Sequence, residues 1–111
     1  MFTGDKPIYL QIRDRIVGRI LADGDGALLP SVRALAADAK VNPLTVAKAY
    51  QDLQAAGLVV AKKGVGLFAA AGAADKLLAS ERAHFLEEEW PRVRDRIDQL
   101  GLSARDLLSL A

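Results

Sequence analysis

The stretch LPSVRALAADAKVNPLTVAKAY, residues 29–50, decides the fold. It reads as two short amphipathic helices with almost nothing between them. Pro30 and Ser31 open the first. The Ser31 hydroxyl is suited to accept from an otherwise orphan backbone N–H, while Val32, Leu35 and Ala36 give the inward stripe. This helix ends near Ala39, leaving only Lys40 and Val41 before Asn42. A residue that precedes proline is pushed out of the α region, which suits a cap. Asn caps well, and Pro43 at the first helical position loses no useful donor. The second helix spans about 43–56 and stops at Gly57. At about 100° per residue, Val46, Ala49, Tyr50 and Leu53 share a narrow arc. Leu44, Lys48 and Gln51 occupy the opposite arc, with Thr45 and Ala47 on its flanks.

Working towards the N-terminus, Ile8, Ile12, Ile16 and Ile20 recur every four residues behind Pro7, with Leu21 beside the last. That spacing predicts a helix over 8–22, broken by DGDG at 23–26. Working towards the C-terminus, the period changes. Two short β-rich runs, 58–61 and 67–70, flank KKGVG and predict a hairpin with a basic, glycine-bearing tip. The GVG lacks the third glycine and the helix start of a dinucleotide fingerprint. From the Ala-rich 69–74, taken as a joint, the pattern is helical again to about residue 100. Leu86, Trp90, Val93, Ile97 and Leu100 form a heptad-like seam that Leu78 and Phe85 continue backwards. Pro91 should kink or restart this helix. After Gly101, Ser103 and Asp106 resemble a capping box that starts a last short helix through Leu107, Leu108 and Leu110.

The chain has 111 residues, 51% hydrophobic and 26% charged, enough for one ordinary domain with an appended element. It has no cysteine, which excludes disulfides, thiolate catalysis and cysteine-based zinc sites. The apolar runs are far short of the roughly 20 residues that span a bilayer, and the N-terminus lacks the apolar centre of a signal peptide. The expectation is a soluble, cytoplasmic protein with no membrane contact and no cofactor. Net charge is +1 but unevenly spread. Residues 1–70 hold nine Lys/Arg against six acids, residues 71–111 six against eight. A basic first half is the polarity expected of a surface that meets an anion.

Helix, helix, tight turn, helix and hairpin is the order of a winged helix-turn-helix. The sequence therefore predicts a mainly α, α/β-class chain in two domains. Residues 1–70 form a winged helix-turn-helix with a two-stranded wing, and residues 71–111 a C-terminal helical tail. In this motif the second helix of the pair offers its N-terminal end to the DNA major groove. The start at Asn42-Pro43 fixes where that end points. Arg33 could bind a phosphate or reach a guanine, Asn42 and Thr45 phosphate or base edges, and Leu44 a thymine methyl. Lys48 and Gln51 point the same way. Lys62, Lys63 and Gly64 form a wing tip suited to the minor groove or its phosphates. Singly, Arg33 and Lys48 are more often solvated surface charges, Asn42 reads equally as a cap alone, the wing lysines as soluble turn residues and Leu44 as packing on the preceding helix. The DNA reading rests on their common placement.

The segments PIYLQIRDRI, LPSVRALA, VNPLTVAKAYQDLQAAGLV and KKGVGLF resemble the GntR transcriptional regulators in order and spacing across residues 7–70. The short tail, ending LGLSARDLLSL, is similar to the YtrA subfamily, which lacks a large ligand-binding domain. The resemblance implies a homodimeric repressor on a short palindromic operator, usually near its own operon. By it, Arg33 matches the helix 2 arginine, Asn42 and Pro43 the helix start, Thr45 the first-turn threonine, and Gly64 or Gly66 the wing glycine. Ala47 departs from a common arginine and Leu44 from a common polar residue. That shifts base readout towards Lys48 or to a different reading of the operator.

The tail leads to a homodimer without the family. A seam of Leu86, Trp90, Val93 and Ile97 is hard to hide against so small a winged domain, whereas a second copy would cover it. The pair would space two recognition helices by about one DNA turn, roughly 34 Å. The alternative is a tail folded back on its own domain. The only candidate pocket for a small-molecule effector lies between paired tails near Phe85 and Trp90. Two other functions compete. His84, the single histidine, has Glu87 and Glu88 at helical distance, the makings of a metal site, but a lone His among glutamates is far more often a solvated face. A winged helix used only for protein contacts often lacks the basic wing and polar helix start found here.

Overall fold

The computed structural model describes residues 6–110. The chain forms two compact units, Met1–Leu77 and Leu78–Ala111. In the first unit, α1 (Ile8–Asp23), β1 (Leu28–Leu29), α2 (Val32–Ala39), α3 (Pro43–Ala55), β2 (Val59–Lys62) and β3 (Gly66–Ala69) follow one another, and α4 (Ala73–His84) begins. The isoleucine stripe does what its spacing predicts: Ile12, Ile16 and Ile20 are buried with Val17, while Ile8, at the first helical position, stays half exposed. They pack with Leu35 and Ala36 of α2 and with Val46, Ala49, Tyr50 and Leu53 of α3. Ala73 and Leu77 join the same core, so this unit extends past residue 70.

The wing corrects one expectation. The sheet has three strands in the order β1-β3-β2, all antiparallel, instead of two. Leu28 and Leu29 pair with Phe68 and Leu67, and Val59 through Lys62 pair with Ala69 through Gly66. Two residues wedged between Gly26 and Pro30 show no alternation, and their pairing across the chain is not a local signal. The turn between α2 and α3 is as short as the sequence predicts, but it is made in a way the residues do not announce. Lys40 ends α2 in the left-handed conformation at φ 58°, and the Lys40 and Val41 N–H groups both reach back to the Ala36 carbonyl. This is the helix ending that glycine normally supplies.

Tyr50 ties the two helices of the motif together. Its hydroxyl donates to the Pro30 carbonyl just ahead of α2. Burial pushes the phenol up to about 12, with Arg19 opposing in part, so the hydroxyl keeps its proton throughout the neutral range.

Asp25 performs a second tie that the DGDG breaker conceals. Its carboxylate accepts from the Gly72 N–H at 2.8 Å and from the Ala74 N–H at 2.9 Å. It thereby caps the start of α4 from a turn distant in sequence but adjacent in space, since the Gly26 N–H donates to the Ala69 carbonyl. These two backbone donors hold the Asp25 carboxyl below its ordinary 3.8. A carboxylate with a depressed folded pKa stabilises above its unfolded value and loses that contribution as pH falls through the folded one. Asp25→Asn is therefore expected to lower the urea midpoint by a constant amount between about pH 5 and 8. The difference from the parent should shrink below about pH 4 as the parent's own carboxylate protonates.

In the second unit, α4 gives way at Phe85–Glu89 to a π-helical turn, followed by α5 (Trp90–Gln99) and α6 (Ala104–Leu108). Pro91 has no N–H to donate, and the helix restarts around it: the Trp90 N–H reaches back five residues to the Phe85 carbonyl. The extra residue brings the Phe85 and Trp90 rings to 6.5 Å between centroids. It also sets His84 near Glu89, at 3.9 Å, where a regular helix would favour Glu87 or Glu88. Ser103 caps α6 by accepting from the Asp106 N–H.

Candidate nucleic-acid interface

The start of α3 is built as its residues dictate. The Asn42 side-chain oxygen accepts from the Leu44 N–H at 2.8 Å, and the Asn42 carbonyl accepts from the Thr45 N–H at 2.9 Å. Pro43 contributes no donor. The Leu44 and Thr45 N–H groups are thus already occupied and not free for a phosphate. This end of the helix offers its dipole, the Thr45 side chain and the remaining Asn42 amide protons. Ser31 caps α2 in the same manner, accepting from the Ala34 N–H at 3.0 Å, and sets Arg33 in the exposed first turn of that helix.

On α3 the two arcs separate cleanly. Val46, Ala49, Tyr50 and Leu53 are buried, while Leu44, Lys48 and Gln51 are exposed, Leu44 at 77%. Thr45 and Ala47 lie between, partly covered. At the wing, the Val65 N–H donates to the Lys62 carbonyl across a turn whose third residue, Gly64, sits at φ 76°. That position favours glycine in a type II turn. Lys62, Lys63 and Gly64 are exposed at this tip. Gly66 lies at φ 149°, where an added Cβ would stand 3.2 Å from Leu28 Cδ1.

Some cations of the first unit are paired and others are not, Arg13, Lys40 and Lys76 being among the unpaired of the described residues. Arg15 pairs with Asp38, Arg19 with Asp23 and Lys6 with Asp14, each at 2.7 Å. Among the described residues, Arg33, Lys48, Lys62 and Lys63 form no ion pair. Lys48 and Lys62 instead lie over aromatic rings, Lys48 over Tyr9 at 4.2 Å and Lys62 over Phe68 at 4.6 Å. The sequence reading missed Tyr9 and Phe68. No local pattern links Tyr9 to Lys48, since only the packing of α1 against α3 brings them together.

In the second unit, Leu78, Phe85, Leu86, Val93 and Leu100 are exposed, and Trp90 and Ile97 only partly covered. None of residues 78–110 is buried. A shallow cavity of about 320 Å³ lies beside Phe85, lined also by Glu81, Arg82 and Leu86. Among the described residues no group of three or more His, Asp or Glu is arranged to hold a metal ion. No helix among them is long and apolar enough to cross a membrane.

Three helices closed by a short hairpin sheet, with a capped helix start left open to solvent, define a DNA-binding winged helix-turn-helix. Residues 5–68 match the model of the bacterial regulatory proteins of the gntR family, and the chain belongs to that family of transcriptional regulators. It is 34% identical to the HTH-type transcriptional regulator YhcF of Bacillus subtilis (strain 168), over 96% of this chain and 88% of that one. It is also 34% identical to the HTH-type transcriptional repressor YtrA of the same organism, over 88% and 71% respectively. A solved GntR family transcriptional regulator from Listeria monocytogenes aligns with a TM-score of 0.73 at 26% identity, covering 97% of this chain and 95% of that one. These relatives are transcriptional regulators, not enzymes.

Proposed function

We propose that this chain is a cytoplasmic, homodimeric repressor that binds a palindromic operator near its own gene. α3 enters the major groove and the wing tip lies over the minor groove or its phosphates. The observation that carries this reading is the placement of four of the unpaired cations. Arg33, Lys48, Lys62 and Lys63 stand without carboxylates on three elements that a winged helix turns towards DNA, while other cations of the same unit are neutralised in ion pairs. Lys62 and Lys63 position the unit on the backbone and Arg33 meets a phosphate or a guanine; Thr45, Lys48 and Gln51 face base edges, and Leu44 meets a thymine methyl. Asn42 and Pro43 aim the helix, and Gly64 and Gly66 let the wing turn closely. Repression is supported by the YtrA relative, whose name describes a transcriptional repressor. Dimerisation is supported by the uncovered seam of the tail. The cavity beside Phe85 is the candidate place for a small-molecule effector.

The test is fluorescence anisotropy of the protein on the DNA upstream of its own gene against scrambled DNA, across a salt series. The expected result is tighter binding to the upstream DNA, with log affinity falling linearly in log salt. Arg33→Ala should weaken binding by about 1–3 kcal/mol if the guanidinium reads a guanine. If it holds a phosphate, the loss should be similar on both DNAs, with the salt slope reduced by about one. Equal, weak binding of the parent to both DNAs would sink the reading in favour of a winged helix that meets a protein.

A further inference from the structure

We infer that Tyr9 is a positioning residue for the DNA-contacting Lys48, and that Phe68 does the same for Lys62 at the wing. The inference rests on the proposed DNA reading of α3 and concerns how its cations are aimed. Lys48 is exposed on the outer arc of α3, and its ammonium stands 4.2 Å from the centre of the Tyr9 ring. Tyr9 lies in the first turn of α1 and is partly covered. Behind it, Ile12 and Ile16 pack with Val46, Ala49 and Tyr50 in the common core. The ring is therefore presented from a fixed neighbour, whereas a free lysine has four rotatable bonds to immobilise on binding.

The chemistry of the partner is the point. A carboxylate would also hold an ammonium in place, but it would neutralise it, as Asp38 and Asp23 do for Arg15 and Arg19. The face of an aromatic ring attracts the cation through its quadrupole and carries no net charge. The ammonium keeps its full charge, and the N–H donors not directed at the ring remain available to a phosphate or a base edge. The arrangement occurs twice, on different elements. Lys62 at the end of β2 lies 4.6 Å from the centre of Phe68 on β3. Both lysines thus seated are interface cations on the proposed reading, and neither has an ion pair among the described residues.

The experiment is a double-substitution cycle on the upstream DNA, comparing the parent, Tyr9→Leu, Tyr9→Phe, Lys48→Ala, and Tyr9→Leu combined with Lys48→Ala. A lysine already held in place is spared the cost of being immobilised on binding, which corresponds to about two- to tenfold in affinity. Tyr9→Leu should weaken binding by that factor with an unchanged salt slope, because no charge is removed. Tyr9→Phe should restore it, and Tyr9→Leu should have no effect once Lys48 is alanine. Equal losses in both Lys48 backgrounds, or a phenylalanine as damaging as leucine, would overturn the proposal. If Tyr9→Leu lowers the melting temperature enough to confuse binding, NMR of the free parent decides. The Lys48 ε-methylene protons should be shifted upfield by the ring, and unshifted protons overturn the proposal. Specific DNA binding that is indifferent to Lys48→Ala overturns the positioning role alone. Absence of specific binding by the parent overturns the reading on which the role rests. Phe68→Leu against Phe68→Tyr, with Lys62→Ala, repeats the cycle at the wing.

Discussion

Leu53→Ala is expected to destabilise the winged unit by about 2–5 kcal/mol, whereas Leu44→Ala on the same helix should cost less than about 0.5 kcal/mol. Leu53 is fully buried between α1 and α3, so its removal loses transfer free energy and leaves a cavity in a close-packed core. Against a total of about 5–15 kcal/mol for an ordinary domain, that is a large fraction. The melting temperature should fall by at least about 8 °C, at roughly 4–8 °C per kcal/mol for a unit of this size. Leu44 is 77% exposed, and leucine and alanine are both good helix formers. Its removal should leave melting unchanged and weaken DNA binding if a thymine methyl meets it. Thermal melts by circular dichroism alongside anisotropy separate the two. Comparable destabilisation by both variants would contradict the assignment of the two arcs.

That separation was legible in the sequence because everything that produces it is local. The caps at Ser31 and Asn42, the proline at position 43 and the apolar period of α3 act within one or two turns, and each appears in the structure where its chemistry places it. The positive-φ glycine at the wing tip is equally local. What escaped the sequence is non-local or cooperative. β1 exists only because Leu28 and Leu29 meet β3. Asp25 lies between two glycines and looks like part of a breaker, yet its partners are at Gly72 and Ala74. Tyr9 reaches Lys48 only through α1–α3 packing. The π-helical turn needed both the missing donor of Pro91 and the freedom of an unburied helix to widen. That turn is also why Glu89, and not Glu87 or Glu88, faces His84.

Replacing Val93 and Ile97 together by aspartate should convert the proposed dimer to a monomer and reduce affinity for the palindromic operator by about 10²–10⁴-fold. Both side chains lie on the seam of α5, Val93 exposed and Ile97 partly covered, in a unit none of whose described residues is buried. Carboxylates there should cost the monomer little, since they replace apolar groups already in contact with water. In a dimer they would have to be desolvated without a partner, the expensive case for a charge. The loss of affinity follows from the loss of linkage: the second winged unit no longer binds as a tethered neighbour, so each half-site must be occupied independently. Two measurements check this. Analytical ultracentrifugation should give the mass of one chain for the double variant and of two for the parent. Trp90, the only tryptophan of the chain, reports the seam directly, and its emission should move to the red as dissociation exposes it. A variant that remains dimeric with unchanged Trp90 emission would place the dimer contact elsewhere. A parent that is monomeric yet binds its operator tightly would show that one winged unit suffices.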